Sequence, residues 1–442
     1  MAIADYISNQ NNRLKQVEAL LPGPTTLAET EIPSRLIGDL IIKAIHQYSI
    51  ISANQIAEII KLPFFGVIEP LLTTLRKADL IDVGGSEGLG EMAYKWVLTP
   101  KGRDRIKEIL DHSTYLGPAP VSLENYRNLV RVQTVNTVRV VPAQVKNALS
   151  DMVVSDEVME LIGPAINTGH SIFLYGSAGN GKTYLSEHIA RLLTGDIYIP
   201  YAIEADGFVI KVFDPNIHEL SDEPLDHFDP NNDKLEKWID ARWVLCKRPV
   251  VVAGGELTMN NLDLIYDEAF HFYEASLQLK ANGGMFLIDD FGRQQMRPRD
   301  LLNRWIVPLE KRLDYLSLIN GKKIEVPFDE FIIFSTNLAP RDLVDEAFLR
   351  RIHNKIEVHN PTFDEYREIM KRNCETQGVP YSEDGMVYLL KEHYVKPKRE
   401  LRSCQPRDLL KQIIGIAAYQ GIAPRLSREL IDTAAASYFV EL

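Results

Sequence analysis

The chain has 442 residues, a length that suggests about two to four domains. Hydrophobic residues make up 45% of it and charged residues 25%, which excludes bulk disorder and a collagen-like repeat. The formal net charge of −12 argues against a protein that coats nucleic acid, although it leaves a local DNA-binding face open.

Signals for membranes, export and disulfides are weak. The apolar runs are strand-sized, as at Met285–Ile288, and fall short of the ~20 residues that a membrane span needs. Residues Met1–Lys15 are polar and lack the apolar core of a signal peptide. Cys246, Cys374 and Cys404 are far apart, which is typical of reduced thiols. We therefore expect a soluble, cytoplasmic protein with no membrane insertion.

The N-terminal quarter alternates helical patterns with turns. Residues 1–30 are expected to form a polar leader with a short helix, and residues 31–115 a separate domain. The predicted elements are the leader helix Asn12–Leu21, helices from Pro33 and from Ser52, a helix Phe64–Ala78, a turn Gly84–Gly90, a strand Ala93–Leu98 and a closing helix after Leu98–Arg103. From residue 31 onward this order resembles the winged-helix fold.

A winged helix that reads DNA needs basic and amide side chains on its recognition helix. Here that helix, Phe64–Ala78, offers Arg76 and Lys77 only at its end and carries Glu69. Acidic residues slightly outnumber basic ones between residues 31 and 112, so the footprint that phosphate binding requires is missing. We favour docking of a protein partner and keep DNA binding as an alternative.

Residues 116–170 are expected to be a linker and a run-in to the next domain. Gly117–Pro120 is typical of a linker, and Asp156–Ala165 has the pattern of an amphipathic helix.

A phosphate-binding loop follows. Ser171–Tyr175 is a buried-type strand, Gly176–Thr183 reads G-x-x-x-x-G-K-T, and Tyr184–Leu193 is helical. Glycines let several N–H groups point at one anion, and the helix N-terminus adds a favourable dipole. The residues expected to bind ATP here are Gly176, Ser177, Ala178, Gly179, Asn180, Gly181, Lys182, Thr183 and Tyr184. Lys182 can reach the β and γ phosphates, and the Thr183 hydroxyl can ligate Mg²⁺.

Two hairpins and an acidic segment come after the loop. Ile197–Ala205 and Phe208–Phe213 flank an Asp-Gly turn, and a second turn, Asn320–Lys323, predicts another hairpin. Asp214–Asp240 is acidic and rich in proline, which favours an exposed, partner-facing loop.

A phosphate-binding loop needs a carboxylate at the end of a neighbouring strand. Gly284–Ile288 is an apolar strand that runs directly into Asp289 and Asp290, and Phe331–Phe334 runs into a polar triplet that ends at Asn337. We expect Asp289 to hold Mg²⁺, Asp290 to polarise the attacking water, and Asn337 to orient that water or touch the γ phosphate.

Arginines complete the pattern. Glu346–Ile352 places Arg350 and Arg351 at the end of a helix, and Arg407 lies near the start of a helix in the all-helical tail, residues 361–442. Parts in this order resemble the AAA+ ATPase superfamily over residues 125–442, more like the MoxR-type and neighbouring branches than the substrate-unfolding proteases.

The resemblance implies an α/β fold: a P-loop AAA+ core with a parallel sheet at residues 171–360, and a C-terminal helical lid at 361–442. By this likeness Gly176–Thr183 is Walker A, Asp289 and Asp290 are Walker B, Asn337 is sensor 1, Arg350 and Arg351 occupy the arginine-finger position, and Arg407 is sensor 2. A finger supplied by a neighbour implies a ring of identical copies, most often a hexamer.

Two departures from the family pattern matter. The second Walker B acid is usually Glu, and Asp290 is shorter, so its carboxylate would sit about 1.5 Å further from the water. Gly254–Asn261 is the best-placed glycine loop but lacks the aromatic tip of a peptide-threading loop.

Three functions stay open. The chain is a ring-forming ATPase that remodels a protein or protein complex, a DNA-associated loader or motor, or a nucleotide-switched scaffold that turns over slowly.

Overall fold

The computed structural model describes residues 14–88, 90–222, 238–343 and 349–439. Residues 1–13 of the expected leader, residues 223–237 of the acidic segment and residues 344–348 ahead of the arginine pair lie outside these ranges.

The described helices and strands are as follows. The helices are α1 (Ser34–Tyr48), α2 (Ala53–Ile60), α3 (Glu69–Lys77), α4 (Pro100–His112), α5 (Leu123–Val132), α6 (Pro142–Ala148), α7 (Asp156–Thr168), α8 (Lys182–Ala190), α9 (Leu277–Ala281), α10 (Pro298–Lys311), α11 (Pro340–Leu343), α12 (Phe363–Gln377), α13 (Glu383–Leu390), α14 (Gln405–Gln420) and α15 (Arg428–Tyr438). The strands are β1 (Ile51–Ser52), β2 (Ile81–Ser86), β3 (Tyr94–Leu98), β4 (Val121–Ser122), β5 (Ile172–Tyr175), β6 (Ile197–Pro200), β7 (Ala202–Ala205), β8 (Phe208–Lys211), β9 (Trp243–Cys246), β10 (Val250–Ala253), β11 (Ile265–Asp267), β12 (Phe272–Glu274), β13 (Met285–Ile288), β14 (Leu313–Ser317), β15 (Lys323–Pro327), β16 (Phe331–Thr336) and β17 (Asn354–Glu357).

A five-stranded parallel sheet organises the centre of the molecule. Its order is β10-β13-β16-β5-β17, and every pairing is parallel. Strands β13 and β16 are buried along their whole length, as expected for apolar strands covered on both faces. Ile172 and Leu174 of β5 pack with α7 and α8, whereas Phe173 packs on the opposite face with α10. The predicted α/β class with a parallel sheet is confirmed.

The described residues between 34 and 112 combine helices α1 to α4 with an antiparallel sheet in the order β1-β3-β2. The predicted helix Phe64–Ala78 is wrong at its start, because α3 begins at Glu69. Phe65 has ψ 135° and Gly66 has φ 75°, so both leave the helical region. A side chain at Gly66 would meet the carbonyl oxygen of Thr25 at 2.1 Å, which explains the glycine. Phe65 is 64% exposed as a result.

The segment Gly117–Pro120, predicted as a linker, is packed against neighbouring segments. Ala119 is fully buried, and the Arg242 guanidinium donates to the carbonyl oxygens of Pro120 (3.1 Å) and Thr30 (3.0 Å). Asp240 pairs with the same guanidinium at 2.7 Å, and both side chains are buried. A guanidinium satisfied by these acceptors fastens the N-terminal region to the rest of the chain.

A second sheet, β11-β12-β8-β7-β4, lies beside the N-terminal region. The predicted hairpin around Asp206 and Gly207 is confirmed, since β7 and β8 pair antiparallel there. The hairpin β14–β15 is confirmed too. Asn320 and Lys322 at its tip donate to the Asp206 carboxylate at 2.8 and 2.6 Å, so the two hairpin tips hold each other.

The acidic segment is not wholly exposed. His218 is 2% exposed, and its Nε2 lies 2.9 Å from the carbonyl oxygen of Lys280. Among the described residues there is no group of three metal-ligating side chains.

The C-terminal helices α12 to α15 form a separate hydrophobic cluster. Across the described ranges, no helix combines the length and apolarity that a bilayer crossing requires.

Candidate nucleotide-binding site

The phosphate-binding loop has the backbone that its glycines predict. It leaves β5 at Tyr175 and enters α8 at Lys182. Gly176, Gly179 and Gly181 have φ of 136°, 82° and 77°. A side chain at Gly176 would meet the carbonyl oxygen of Val358 at 2.3 Å, so this position also requires glycine for space. The curl in front of a helix N-terminus is a cradle suited to an anion.

The loop lysine is fixed at the centre of the site. The Lys182 ammonium donates to the carbonyl oxygens of Gly176 (2.9 Å) and Ser177 (3.0 Å) and to Oδ1 of Asn337 (2.7 Å). Burial lowers the pKa of this ammonium, and the carboxylates of Asp289 and Asp290 oppose that shift. The contact with Asn337 joins the ends of β5 and β16, which are neighbours in the sheet.

Asp289 meets the loop threonine. Its Oδ2 accepts from the Thr183 hydroxyl at 2.8 Å, and its Oδ1 accepts from the Ser335 hydroxyl at 2.8 Å. A hydroxyl and a carboxylate held this close are hard oxygen ligands of the kind that Mg²⁺ takes alongside phosphate oxygens. The residues present therefore fit a magnesium–nucleotide complex.

Asp290 occupies an unusual backbone position. Its φ is 49°, in the left-handed region, which Asp and Asn tolerate better than longer side chains. The Asn337 amide donates to its Oδ1 at 3.1 Å. Gln294 holds the turn by donating to the carbonyl oxygen of Asp289 (2.9 Å) and accepting from the N–H of Gly292 (2.8 Å). A left-handed backbone favours the shorter side chain, which is a physical reason for Asp at position 290, where the AAA+ pattern usually has Glu.

The C-terminal region contacts the loop through Asn360, Ser403 and Cys404, none of which the sequence analysis assigned to the site. The N–H of Cys404 donates to the carbonyl oxygen of Gly179 at 2.8 Å, and the N–H of Ser403 to Oδ1 of Asn180 at 3.3 Å. The Asn180 amide in turn donates to Oδ1 of Asn360 at 2.9 Å. These bonds tie the loop to the segment before α14.

Arg402, in the segment before α14, acts electrostatically on Lys182. Its guanidinium donates to Asn360 (2.5 Å) and Glu400 (2.6 Å), and its charge helps to lower the pKa of Lys182. Arg407, the predicted nucleotide contact, lies on the first turn of α14. Its Nε donates to Asp408 at 3.0 Å, and its side chain is 56% exposed. Tyr184, also predicted, is 46% exposed and lies against the ring of His188.

Arg350 and Arg351 lie at the other edge of the sheet. They precede β17, whose first residue Asn354 pairs with Ile172 at the start of β5. With His170 and others they line a cavity of about 690 Å³. The structure therefore separates these arginines from the loop, Asp289, Asp290 and Asn337, which it brings together.

Comparisons with known proteins add little to this geometry. Residues 362–437 match a family described as a domain of unknown function, DUF8689. No curated protein matches the chain. A solved structure of NtrX from Brucella abortus in complex with ADP is similar at 15% identity and a TM-score of 0.39, covering 68% of this chain and 59% of that one. The RuvB Holliday junction branch migration motor of Thermotoga maritima is similar at 14% identity and a TM-score of 0.39, covering 65% and 71%. Likenesses this weak carry no argument about activity.

Proposed function

We propose that this chain is an ATPase of the AAA+ type that works in a ring of identical copies, a hexamer by family resemblance, to remodel a protein or protein complex. One observation carries the proposal. Lys182, Asp289 and Asn337 come from three different segments and meet at the carboxyl edge of one parallel sheet. In this proposal residues 171–360 are the ATPase core and residues 361–442 the lid.

Each side chain has a role that follows from its contacts. The loop N–H groups and Lys182 bind the phosphates, and Thr183 with Asp289 would hold Mg²⁺. The metal, when bound, neutralises charge on the phosphate oxygens. Asp290 is exposed, accepts a hydrogen bond from Asn337, and is the carboxylate available to take the proton of an attacking water.

The lid supplies a further cation in this proposal. Arg402 rather than Arg407 reaches toward the bound phosphates, because the segment 402–404 contacts the loop while Arg407 turns to Asp408. Its present partners, Asn360 and Glu400, set its position.

The arginine pair serves a second copy. From His170 at the cavity to Gly176 at the loop the chain advances six residues, which is about 20 Å at the rise of an extended strand. That distance exceeds the reach of an arginine side chain, so Arg350 and Arg351 cannot touch the phosphates of their own chain. A guanidinium from one copy and a loop from the next fit together only in a head-to-tail assembly.

Residues 31–115 are the recruitment module in this proposal, with a winged-helix arrangement. Burial and then the neighbouring Glu91 carboxylate raise the pKa of Glu69, which starts α3. Arg76 on the same helix pairs with Asp82 at 3.4 Å. A surface where carboxylates meet disfavours phosphates, so we assign protein rather than DNA as the partner.

The test measures phosphate release and DNA binding on the same preparation. We expect magnesium-dependent turnover of ATP, and weak, sequence-independent binding of duplex DNA. Turnover slower than one ATP per chain per hour with ATP bound would favour the nucleotide-switched scaffold. Tight, salt-dependent DNA binding would favour the loader or motor.

A further inference from the structure

The cavity at the amino edge of the parallel sheet carries an excess of positive charge. Its walls include three guanidinium groups, those of Arg312, Arg350 and Arg351, and two acidic side chains, Glu310 and Glu330. Burial, and then the nearby carboxylates, raise the pKa of Glu330 well above its usual range. Glu310 is 49% exposed and Glu330 is 1% exposed, so Glu310 is the acidic side chain that solvent and other ions can reach.

Two of the arginines are held in different ways. Arg312 donates to uncharged acceptors of its own chain, the carbonyl oxygens of Gly169 (2.5 Å) and Glu330 (3.2 Å). Arg351 is held by charge, since its Nε and Nη2 both lie 2.7 Å from Oε1 of Glu310. The carbonyl oxygens fix the Arg312 guanidinium in place. At Arg351, another anion can take the place of the Glu310 carboxylate.

The Glu310–Arg351 pair is open to solvent. The Glu310 side chain is 49% exposed and that of Arg351 27% exposed. Ion pairs at such sites are weak, whereas a guanidinium binds the oxygens of a phosphate with two parallel hydrogen bonds. A phosphate that enters the cavity therefore competes well with Glu310.

We infer that Glu310 is a positioning residue that keeps Arg351 on its own chain until the terminal phosphates of a nucleoside triphosphate held by a second copy displace it. This inference rests on the proposed function, because it takes the second copy as the source of the phosphate. Glu310 thereby makes the release of Arg351 depend on the loaded state of the neighbour.

The experiment uses two full-length variants, co-expressed with different tags so that mixed oligomers are purified through both. The acceptor copy carries Arg350→Ala with Arg351→Ala and keeps its phosphate-binding loop. The donor copy carries Lys182→Ala and keeps its cavity. Each alone should be inactive, and the mixture should recover turnover at the acceptor's loops.

Glu310→Gln is then placed in one copy at a time. In the donor copy it should lower the KM for ATP about threefold to tenfold, because an uncharged amide holds a guanidinium less tightly. In the acceptor copy it should change nothing, since that copy has no Arg351. Glu310→Asp in the donor keeps the charge and should retain at least part of the restraint. Glu219→Gln in the donor is the matched control, because Glu219 pairs with Lys247 at 2.6 Å on an exposed surface away from the cavity.

The outcomes distinguish a failure of the proposed head-to-tail site from a failure of the inference about Glu310. No recovery in doubly purified mixed oligomers contradicts the head-to-tail site, and the inference fails with it. Recovery with an unchanged or raised KM for donor Glu310→Gln overturns the inference alone. An equal KM shift from either copy also overturns it, because the effect would then be structural.

Discussion

The two edges of the parallel sheet differ in how far their functional side chains are already bonded to one another. At the carboxyl edge, side chains from the ends of β5, β13 and β16 already bond to one another: Lys182 to Asn337, and Asn337 to Asp290. At the amino edge, in a guanidinium-rich cavity, Arg351 pairs with the exposed carboxylate of Glu310. The carboxyl edge is thus organised within the chain, whereas under the proposed function the amino edge acts on the nucleotide of a second copy.

The largest effect should come from removing the two arginines at the amino edge. Arg350→Ala with Arg351→Ala should lower kcat by about a thousandfold, the order found where a neighbour's arginine stabilises the transferring phosphoryl. Nucleotide binding should persist, because the loop lies at the other edge. Phosphate release and the binding of a fluorescent ATP analogue measure the two properties, and undiminished turnover would show that the arginines have no catalytic role.

Removing the proposed base should cost somewhat less. Asp290→Asn keeps a residue that tolerates the left-handed backbone, and it leaves the Asn337 contact with an oxygen acceptor. We expect kcat to fall by about 10²–10³ with little change in nucleotide affinity, as for loss of a general base. Asp300→Asn, in the first turn of α10, is the control. A rate within threefold of the wild type would move the base to another residue.

Substituting Arg402 or Arg407 should have a smaller effect, and on the KM for ATP. Arg402→Ala should raise the KM for ATP about tenfold, the value of a charged hydrogen bond to phosphate. Arg407→Ala, at the position predicted from the sequence, should change it less than about twofold because this side chain is largely exposed. The reverse order of effects would return the role to Arg407.

The smallest effect concerns stability at the amino edge. Glu330 is buried and its Oε2 has no hydrogen-bond partner among the described residues. Its pKa is raised on folding, so the native state favours the protonated form, and stability falls as pH rises above the unfolded pKa of about 4.3. Glu330→Gln should therefore raise Tm at pH 8, with the gain shrinking toward pH 5. A gain that is independent of pH would contradict this account.

The sequence predicts the carboxyl edge well because each part sits at the end of a strand. Apolar strands that run into Gly176, Asp289 and Asn337 are visible as patterns, and parallel strands bring their ends to one edge. The left-handed backbone at Asp290 has no such pattern, since a turn held by Gln294 sets it.

Contacts between distant segments could not be predicted. Ser403 and Cys404 bond to the loop from a segment more than 200 residues away, and Glu310 meets Arg351 across 41 residues of sequence. The packing of the predicted linker could not be predicted for the same reason, because Arg242 lies 122 residues from the carbonyl of Pro120 that it binds. Local composition indicates turns and charges but not the partners that bury them.

The central claim is that the carboxyl edge binds and hydrolyses ATP through Lys182. Phosphate release should be measured for the wild type and for Lys182→Ala, with Lys247→Ala as an exposed control, at saturating ATP and Mg²⁺. The account predicts turnover in the wild type and the control, and a loss of about 10²–10³ or more in Lys182→Ala. Turnover retained in Lys182→Ala would contradict it.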